Sequence, residues 1–235
     1  MGAEPAFPHL PPSADTRTRY GHLFEKKAVR EPTLKVLFDR AVGVILLLLA
    51  VPFIAALFVI HTLMSILMRS QRGPLLISYK AISRGTTFRK YKFCVVKEAY
   101  IDRPAAAAGD WHAYSAEWDP RCRTYLGALL KKFYLDELPQ LVNVALGQMS
   151  LVGPRPLATH HYDRDLLQGN VHRKLLRAGL FGPSQALKGT PRYGQQDDEY
   201  KYLNAVNEMS PFRLILYDFK LIILCMLRVA QGKGL

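Results

Sequence analysis

The residues with the most chemical promise lie close together in the middle of the chain. Asp136-Glu137-Leu138-Pro139-Gln140-Leu141-Val142-Asn143 places two adjacent carboxylates just ahead of a proline suited to the first turn of a helix. Acidic groups there are favoured by the positive end of the helix dipole. Spacing alone therefore leaves two readings, a well-formed helix start or a pair of acids that carries a reaction. A little further on, Ser150-Leu151-Val152-Gly153-Pro154-Arg155-Pro156 holds one arginine between two prolines, in a stiff extended turn. An immobilised guanidinium suits bidentate capture of phosphate, although an arginine in a rigid loop is common without that task.

These groups need elements to position them. From Tyr125 to Leu146 apolar residues recur at helical spacing, which predicts helices on either side of Leu135-Asp136-Glu137, and residues 160–178 read as helical too. Leu75-Leu76-Ile77-Ser78-Tyr79 and Phe88-Arg89-Lys90-Tyr91-Lys92-Phe93, separated by Ser83-Arg84-Gly85-Thr86, have the form of a small hairpin. Arg103 to Pro120 reads as an irregular surface connection. Ser210 to Val229 is strongly apolar but carries Arg213, Asp218, Lys220 and Arg228. Those charges favour an amphipathic helix in a membrane interface over a second crossing, with a core-packed terminal helix as the plainer alternative.

One segment, Ala41 to Met68, has no charged residue and is too apolar for a helix with one wet face. It is long enough to span a bilayer with tilt. Pro52 near its middle predicts a kink or break, and basic residues flank both ends, with Lys35 and Arg40 before it and Arg69 and Arg72 after it. Because cytoplasmic flanks carry the positive excess, this symmetry predicts that both ends lie on the cytoplasmic side, as a re-entrant helix that dips in and returns. His61, in the second arm, costs least if that arm climbs back toward the headgroups.

The chain has 235 residues, 49% of them hydrophobic, and a formal charge of +13 from 32 basic and 19 acidic side chains. That is enough for one catalytic domain with an appendage, and the charge calls for a polyanionic neighbour such as a phosphorylated substrate or an anionic membrane surface. Cys94, Cys122 and Cys225 form no metal-type spacing, which fits a reducing cytosolic setting. Met1 to Arg30 lacks the apolar core of a secretory signal and reads as a flexible or surface-lying arm. No Rossmann or P-loop fingerprint and no repeat is present. A nucleic-acid partner would rest on the charge alone, without any reading motif, and is not expected.

The stretch from Asp119 to Pro156 resembles the signature region of the monotopic phosphoglycosyl transferases, the bacterial sugar transferases that begin polysaccharide and glycoconjugate assembly. The resemblance is carried by Asp119-Pro120-Arg121, Gly127, Leu135-Asp136-Glu137-Leu138-Pro139-Gln140-Leu141, Asn143-Val144, Gly147, Met149-Ser150-Leu151-Val152-Gly153 and Pro154-Arg155-Pro156. Upstream it runs through Phe38-Asp39-Arg40, the Pro-broken hydrophobic helix, Gly73-Pro74 and Lys92-Phe93. Downstream it takes in Gly182, Gln185, Gly189, Glu199-Tyr200-Lys201-Tyr202-Leu203, Ser210-Pro211 and Asp218. Only the N-terminal arm lies outside it.

This resemblance implies an α-rich α/β membrane protein: a flexible arm over 1–32, a re-entrant membrane helix over 33–72, and a catalytic domain over 73–235 with interfacial amphipathic helices. It implies a two-step transfer of a sugar phosphate from a UDP-sugar to polyprenyl phosphate at the cytoplasmic face of the bacterial inner membrane, with UMP released. Asp136 would be the nucleophile, Glu137 the holder of a Mg²⁺ ion, and Arg155 a phosphate ligand. Arg121, Lys92, Pro154, Gln185 and an acidic residue at Asp198 or Glu199 would complete the substrate site. Anionic lipids, and a second copy of the chain in a homo-oligomer, are the expected partners. The chain departs from the family pattern at Lys80-Ala81-Ile82, at Lys92-Phe93-Cys94-Val95-Val96 and at Ala178-Gly179-Leu180-Phe181-Gly182. The first two departures each remove an expected arginine, which bears on substrate choice more than on reaction type. A catalytically inactive relative acting as a membrane scaffold is the alternative reading.

Overall fold

The computed structural model describes residues 10–231. The arm read from the sequence therefore lies partly outside the described residues. Its described part is helical: Ser13 caps α1 (Ala14–Arg19) by accepting from the Thr16 N–H at 3.0 Å, and α2 (Gly21–Phe24) follows. Leu23 and Val29 are buried in the main core, and Phe24 stacks on Tyr200 at 4.7 Å.

Next comes α3 (Thr33–Leu67), 35 residues and about 50 Å at about 1.5 Å per residue. Pro52 does not split it. The helical run continues through that position, because one missing N–H deletes a single bond and leaves the rest of the ladder intact. The helix touches the globular body at both ends. Near its start, Gly43 lies against α6, and a Cβ there would fall 2.9 Å from Val144 Cγ1, so only glycine permits the approach. Toward its end, Leu57 is buried with Phe93, Leu126 and Leu130, and His61 Nε2 is 3.0 Å from the Gly73 carbonyl oxygen. Val44, Ile45, Leu48, Leu49, Phe58 and Leu63 remain exposed.

Strands β1 (Leu76–Ser83) and β2 (Thr86–Phe93) pair antiparallel from Leu76 opposite Phe93 to Ser83 opposite Thr86. Arg84 and Gly85 between them both take positive φ, 51° and 70°, which matches the right-handed twist of a two-residue connection. The stretch 103–120 is more regular than its composition suggests. Asp102 caps α4 (Arg103–Ala108), Gly109 ends it in a left-handed conformation, and a 3₁₀ run covers Trp111–Trp118. The Ala run conceals these caps in the sequence.

After α5 (Tyr125–Lys132) and α6 (Gln140–Ala145), β3 (Ser150–Val152) leads to β4 (Leu157–Ala158), which adds to the free edge of β1. The span 160–178 holds two helices rather than one, α7 (Thr159–Leu167) and α8 (His172–Leu175), and β5 (Gly179–Phe181) then pairs parallel with β3. Finally α9 (Asp197–Glu208) packs into the core through Tyr200, Tyr202 and Leu203, and α10 (Pro211–Ala230) closes the body. On α10 the residues Leu214, Ile215, Asp218, Leu221 and Cys225 are buried. Phe212, Leu216, Phe219, Ile223 and Met226 form an exposed apolar stripe at helical spacing.

Candidate active site

The dyad stands on a turn that begins with an unusual backbone. Tyr134 adopts φ 57°, a left-handed conformation that is costly for a non-glycine residue, and the 3₁₀ turn Leu135–Glu137 follows. That turn points both acids inward: Asp136 is 2% exposed and Glu137 6%. Pro139 then leads directly into α6.

Strand alternation supplies the opposing charge. On β2, Phe88, Lys90 and Lys92 share the buried face, because successive side chains of a strand alternate between its two sides. Lys92 Nζ lies 3.1 Å from Asp136 Oδ2 and donates to Glu117 Oε2 at 2.7 Å, while Lys131 Nζ is 3.4 Å from Glu117 Oε1. Arg155 donates from Nη2 to Glu137 Oε1. Lys90 has no carboxylate within ion-pair distance among the described residues, and its ammonium sits 5.6 Å from the centre of the Tyr79 ring.

Burial works against each of these charges and the partners decide the outcome. Despite burial, Arg155 above all, with Lys90, Lys92 and Lys131, holds Glu137 well below the usual carboxylate range. Glu117 is likewise buried but is held down to about 2 by Lys92 and Lys131. Against burial, Glu117 and Asp136 keep Lys92 well above its usual value. For Lys90 and Lys131 burial prevails and pulls each down to about 8. The cluster thus sets four basic side chains, Lys90, Lys92, Lys131 and Arg155, against three acidic ones, Glu117, Asp136 and Glu137. Full charging leaves one positive charge to be matched by an anion.

Arg155 also lines a cleft on its other side, together with Arg173, Ser184, Gln185, Tyr193, Gln196 and Glu199. Three acceptors in this cleft are buried without a partner: Glu199 Oε2, Gln185 Oε1 and Gln196 Oε1. Ser184 donates to the other Glu199 oxygen at 2.5 Å. Of the residues named from the sequence, Lys92 therefore pairs with Asp136 and Arg155 with the adjacent Glu137, while Gln185 and Glu199 line the cleft that Arg155 also lines. Pro154 contributes backbone, its carbonyl accepting from the Gly179 N–H at 2.9 Å. Asp198 instead pairs with Arg192 at 2.7 Å, and Arg121 lies on Asp119 at 2.7 Å with its side chain 84% exposed. Neither has a bond to the dyad among the described residues.

Sequence reasoning missed Lys90, Glu117, Lys131 and Tyr134. The alternation of β2 could have found Lys90, since it shares a face with Lys92. Nothing local marks Glu117, which reaches the site only through tertiary packing.

The family model for bacterial sugar transferases matches residues 30–232, and the chain belongs to that family. It is 35% identical over 141 residues to an undecaprenyl-phosphate galactose phosphotransferase of Salmonella typhimurium, covering 56% of this chain and 28% of that protein. It is 34% identical over 128 residues to the exopolysaccharide production protein ExoY of Sinorhizobium fredii, covering 50% and 55%. A UDP-N-acetylgalactosamine-undecaprenyl-phosphate N-acetylgalactosaminephosphotransferase of Aeromonas hydrophila is 27% identical over 180 residues, covering 74% and 40%. The chain thus spans between about a quarter and just over half of the length of these relatives. Among the described residues, one helix, Thr33–Leu67, is long and apolar enough to cross a membrane.

Proposed function

We propose that this chain transfers a sugar 1-phosphate from a UDP-sugar to polyprenyl phosphate through a covalent intermediate on Asp136. The observation that carries the reading is the buried Asp136–Glu137 pair inside a cluster with one surplus positive charge, bridged by Arg155 to a cleft of unpaired acceptors. The names of the relatives, two of which specify undecaprenyl phosphate and a sugar, support it.

In the first step a carboxylate oxygen of Asp136 forms a bond to the phosphorus next to the sugar, and the bond from that phosphorus to the bridging oxygen breaks, so that UMP leaves with the electron pair. In the second, an oxygen of polyprenyl phosphate bonds to the same phosphorus and the Asp136–phosphorus bond breaks. This restores the carboxylate and gives a polyprenyl diphosphosugar. Lys92 holds Asp136 in place, and Lys90 and Arg155 stand ready to take the negative charge that gathers on the phosphoryl oxygens. The donor set suits a hard divalent ion, since Glu137 keeps its charge despite burial and Mg²⁺ is commonly held by one or two carboxylates together with substrate phosphates. Glu137 would hold such an ion, which would supply charge neutralisation at the transferring group. The unpaired oxygens of Gln185, Gln196 and Glu199 suit the N–H and O–H donors of a nucleoside or sugar.

The same reading makes α3 a re-entrant helix that bends at Pro52 without losing its helical run and keeps both ends at the cytoplasmic face of the inner membrane. Contacts to the globular body at both Gly43 and Leu57 support it, because a straight crossing would carry one end away from that body. The exposed apolar stripe of α10, together with Tyr125, Leu129 and Phe133, suits the lipid boundary, where anionic headgroups would meet the basic chain.

The decisive experiment treats purified protein with a UDP-sugar labelled in the phosphate next to the sugar and looks for a phosphorylated adduct at position 136. Asp136→Asn should abolish the adduct and lower UMP release by at least about 10³-fold. Turnover in that variant at the unsubstituted rate would refute the mechanism. Cysteines placed at Thr33 and Gly73 should both resist impermeant thiol reagents added outside the cell, and labelling at position 33 alone would establish a single crossing instead.

A further inference from the structure

Away from the dyad, Asp110, His112 and His160 converge on one patch of surface, with one potential ligand atom from each within 4.8 Å of the others. They come from segments distant in the chain, the start of the 3₁₀ run and the first turn of α7. The rings of His112 and His160 lie 4.3 Å apart at 30°, and Trp111 packs beside both, at 5.2 and 5.7 Å. Asp110 Oδ1 accepts from the His112 N–H at 3.0 Å and lies 3.0 Å from its Nδ1, so the carboxylate and one ring are already oriented toward each other.

We propose that these three residues form a binding site for a divalent transition-metal ion of the zinc class. Two imidazole nitrogens and one carboxylate make a borderline donor set that suits Zn²⁺, Co²⁺, Ni²⁺ or Cu²⁺, whereas Mg²⁺ and Ca²⁺ prefer oxygen alone. Bonds of roughly 2.0–2.2 Å to a shared centre require the three donors to draw closer than they stand. Small rotations of exposed side chains provide that, and water completes the coordination. The site is separate from the Glu137 carboxylate and does not depend on the proposed reaction.

Its position gives it a mechanical consequence. The 3₁₀ run that begins beside Asp110 carries Glu117, which pairs with Lys92 and Lys131. His160 follows β4, which itself follows Arg155, the partner of Glu137. An ion held by all three residues therefore clips together the two segments that bring opposite walls of the dyad cluster into place.

The test uses the full chain in detergent, stripped of metal with a chelator and then titrated with ZnCl₂ by calorimetry and with CoCl₂ by visible absorption. One saturable equivalent is expected, with cobalt d–d bands and a rise in thermal midpoint on adding Zn²⁺. His160→Ala and His112→Ala should each weaken binding at least tenfold. Glu137→Gln, at the dyad, and His22→Ala, an exposed histidine elsewhere, should leave it unchanged. All three proposed ligands are exposed, so their variants should fold normally. Absence of a saturable equivalent, affinity retained in both ligand-histidine variants, or affinity lost in Glu137→Gln would each overturn the proposal.

Discussion

Two clusters of charge are buried in this fold, and they are balanced in opposite directions. Around the dyad, four basic side chains face three acidic ones. Behind it, Lys35 and Arg177 face Glu31, Asp39 and Asp218, two basic against three acidic. In this second cluster the contacts close on themselves. Lys35 lies 2.5 Å from Asp218 and 3.4 Å from Asp39, Arg177 reaches Asp39 at 3.0 Å and Glu31 at 2.5 Å, and the Ser150 and Tyr202 hydroxyls donate to Asp39 and Asp218 at 2.7 Å each. Burial pushes the Asp218 carboxyl up, toward its neutral form, which relieves the surplus negative charge. In the dyad cluster burial likewise draws Lys90 and Lys131 down, but only to about 8, so both keep most of their charge near neutrality, and Lys90 has no carboxylate at ion-pair distance among the described residues. A cluster that closes on itself ties the N-terminal arm, α3, β3 and α10 together. One that stays open is built for a ligand.

Removing one cation from each cluster should change stability with opposite signs. Arg177→Met leaves Glu31 and Asp39 buried with too few partners, and truncating one member of such a network costs about 3–5 kcal/mol. Urea denaturation in detergent should show a loss of that size, with turnover per folded molecule close to normal. A change below about 1 kcal/mol would mean that the closed cluster contributes little to the fold.

Lys90→Met should act the other way. It removes a buried charge that has no carboxylate partner and replaces it with an apolar side chain of similar length, so stability should hold or rise by about 1–2 kcal/mol. If Lys90 contacts a donor phosphate, KM for the UDP-sugar should rise about 10- to 100-fold, the loss of one charge-assisted contact of about 1.5–3 kcal/mol. Destabilisation with unchanged kinetics would make Lys90 a structural residue and erase the contrast between the clusters.

Legibility from the sequence followed the same division. The open cluster announced itself, since Asp136, Glu137 and Arg155 fall in one contiguous motif and Lys92 in another, and the long apolar run marked α3. The closed cluster was legible only in pieces: Asp39 and Asp218 fall in stretches that carry the resemblance and Lys35 read as a basic flank, but nothing local marks that tertiary contact buries them together with Arg177. The same holds for Glu117, which lies within a stretch that reads as a surface connection. Its caps at Asp102 and Gly109 were present in the sequence, but a run of alanines gives helical periodicity nothing to register. Pro52 taught the converse lesson, since the strongest local breaker in the chain sits within an unbroken helix.

Stability and donor binding should also respond to pH in opposite directions. Lys90 and Lys131 are each pulled down to about 8 in the folded protein, against roughly 10.4 when unfolded. Between those values the unfolded chain binds more protons than the folded one, so stability rises with pH from about 8 to about 10.4. Donor binding should move oppositely, because the anion loses its cations over the same interval. From pH 7 to 10 the thermal midpoint should therefore rise while donor affinity falls, seen as a rising KM, and the rise in midpoint should be shallower in Lys90→Met. Parallel loss of both in the native chain would contradict the depressed lysines.

The smallest effect is expected at the arginine that the family motif would place with the substrate but that the fold leaves on the surface. Arg155 is largely enclosed and joins Glu137 to the cleft, whereas Arg121 has its side chain 84% exposed and its guanidinium on Asp119. An exposed pair of that kind contributes about 0–1 kcal/mol and is screened by salt. Arg121→Ala should consequently shift the thermal midpoint little and leave KM within about threefold of normal, while Arg155→Ala raises KM and lowers kcat together. A loss of donor affinity in Arg121→Ala as large as that in Arg155→Ala would mean that the segment around Asp119 folds over the bound donor, and that the open cluster extends further than the dyad, Arg155 and the cleft.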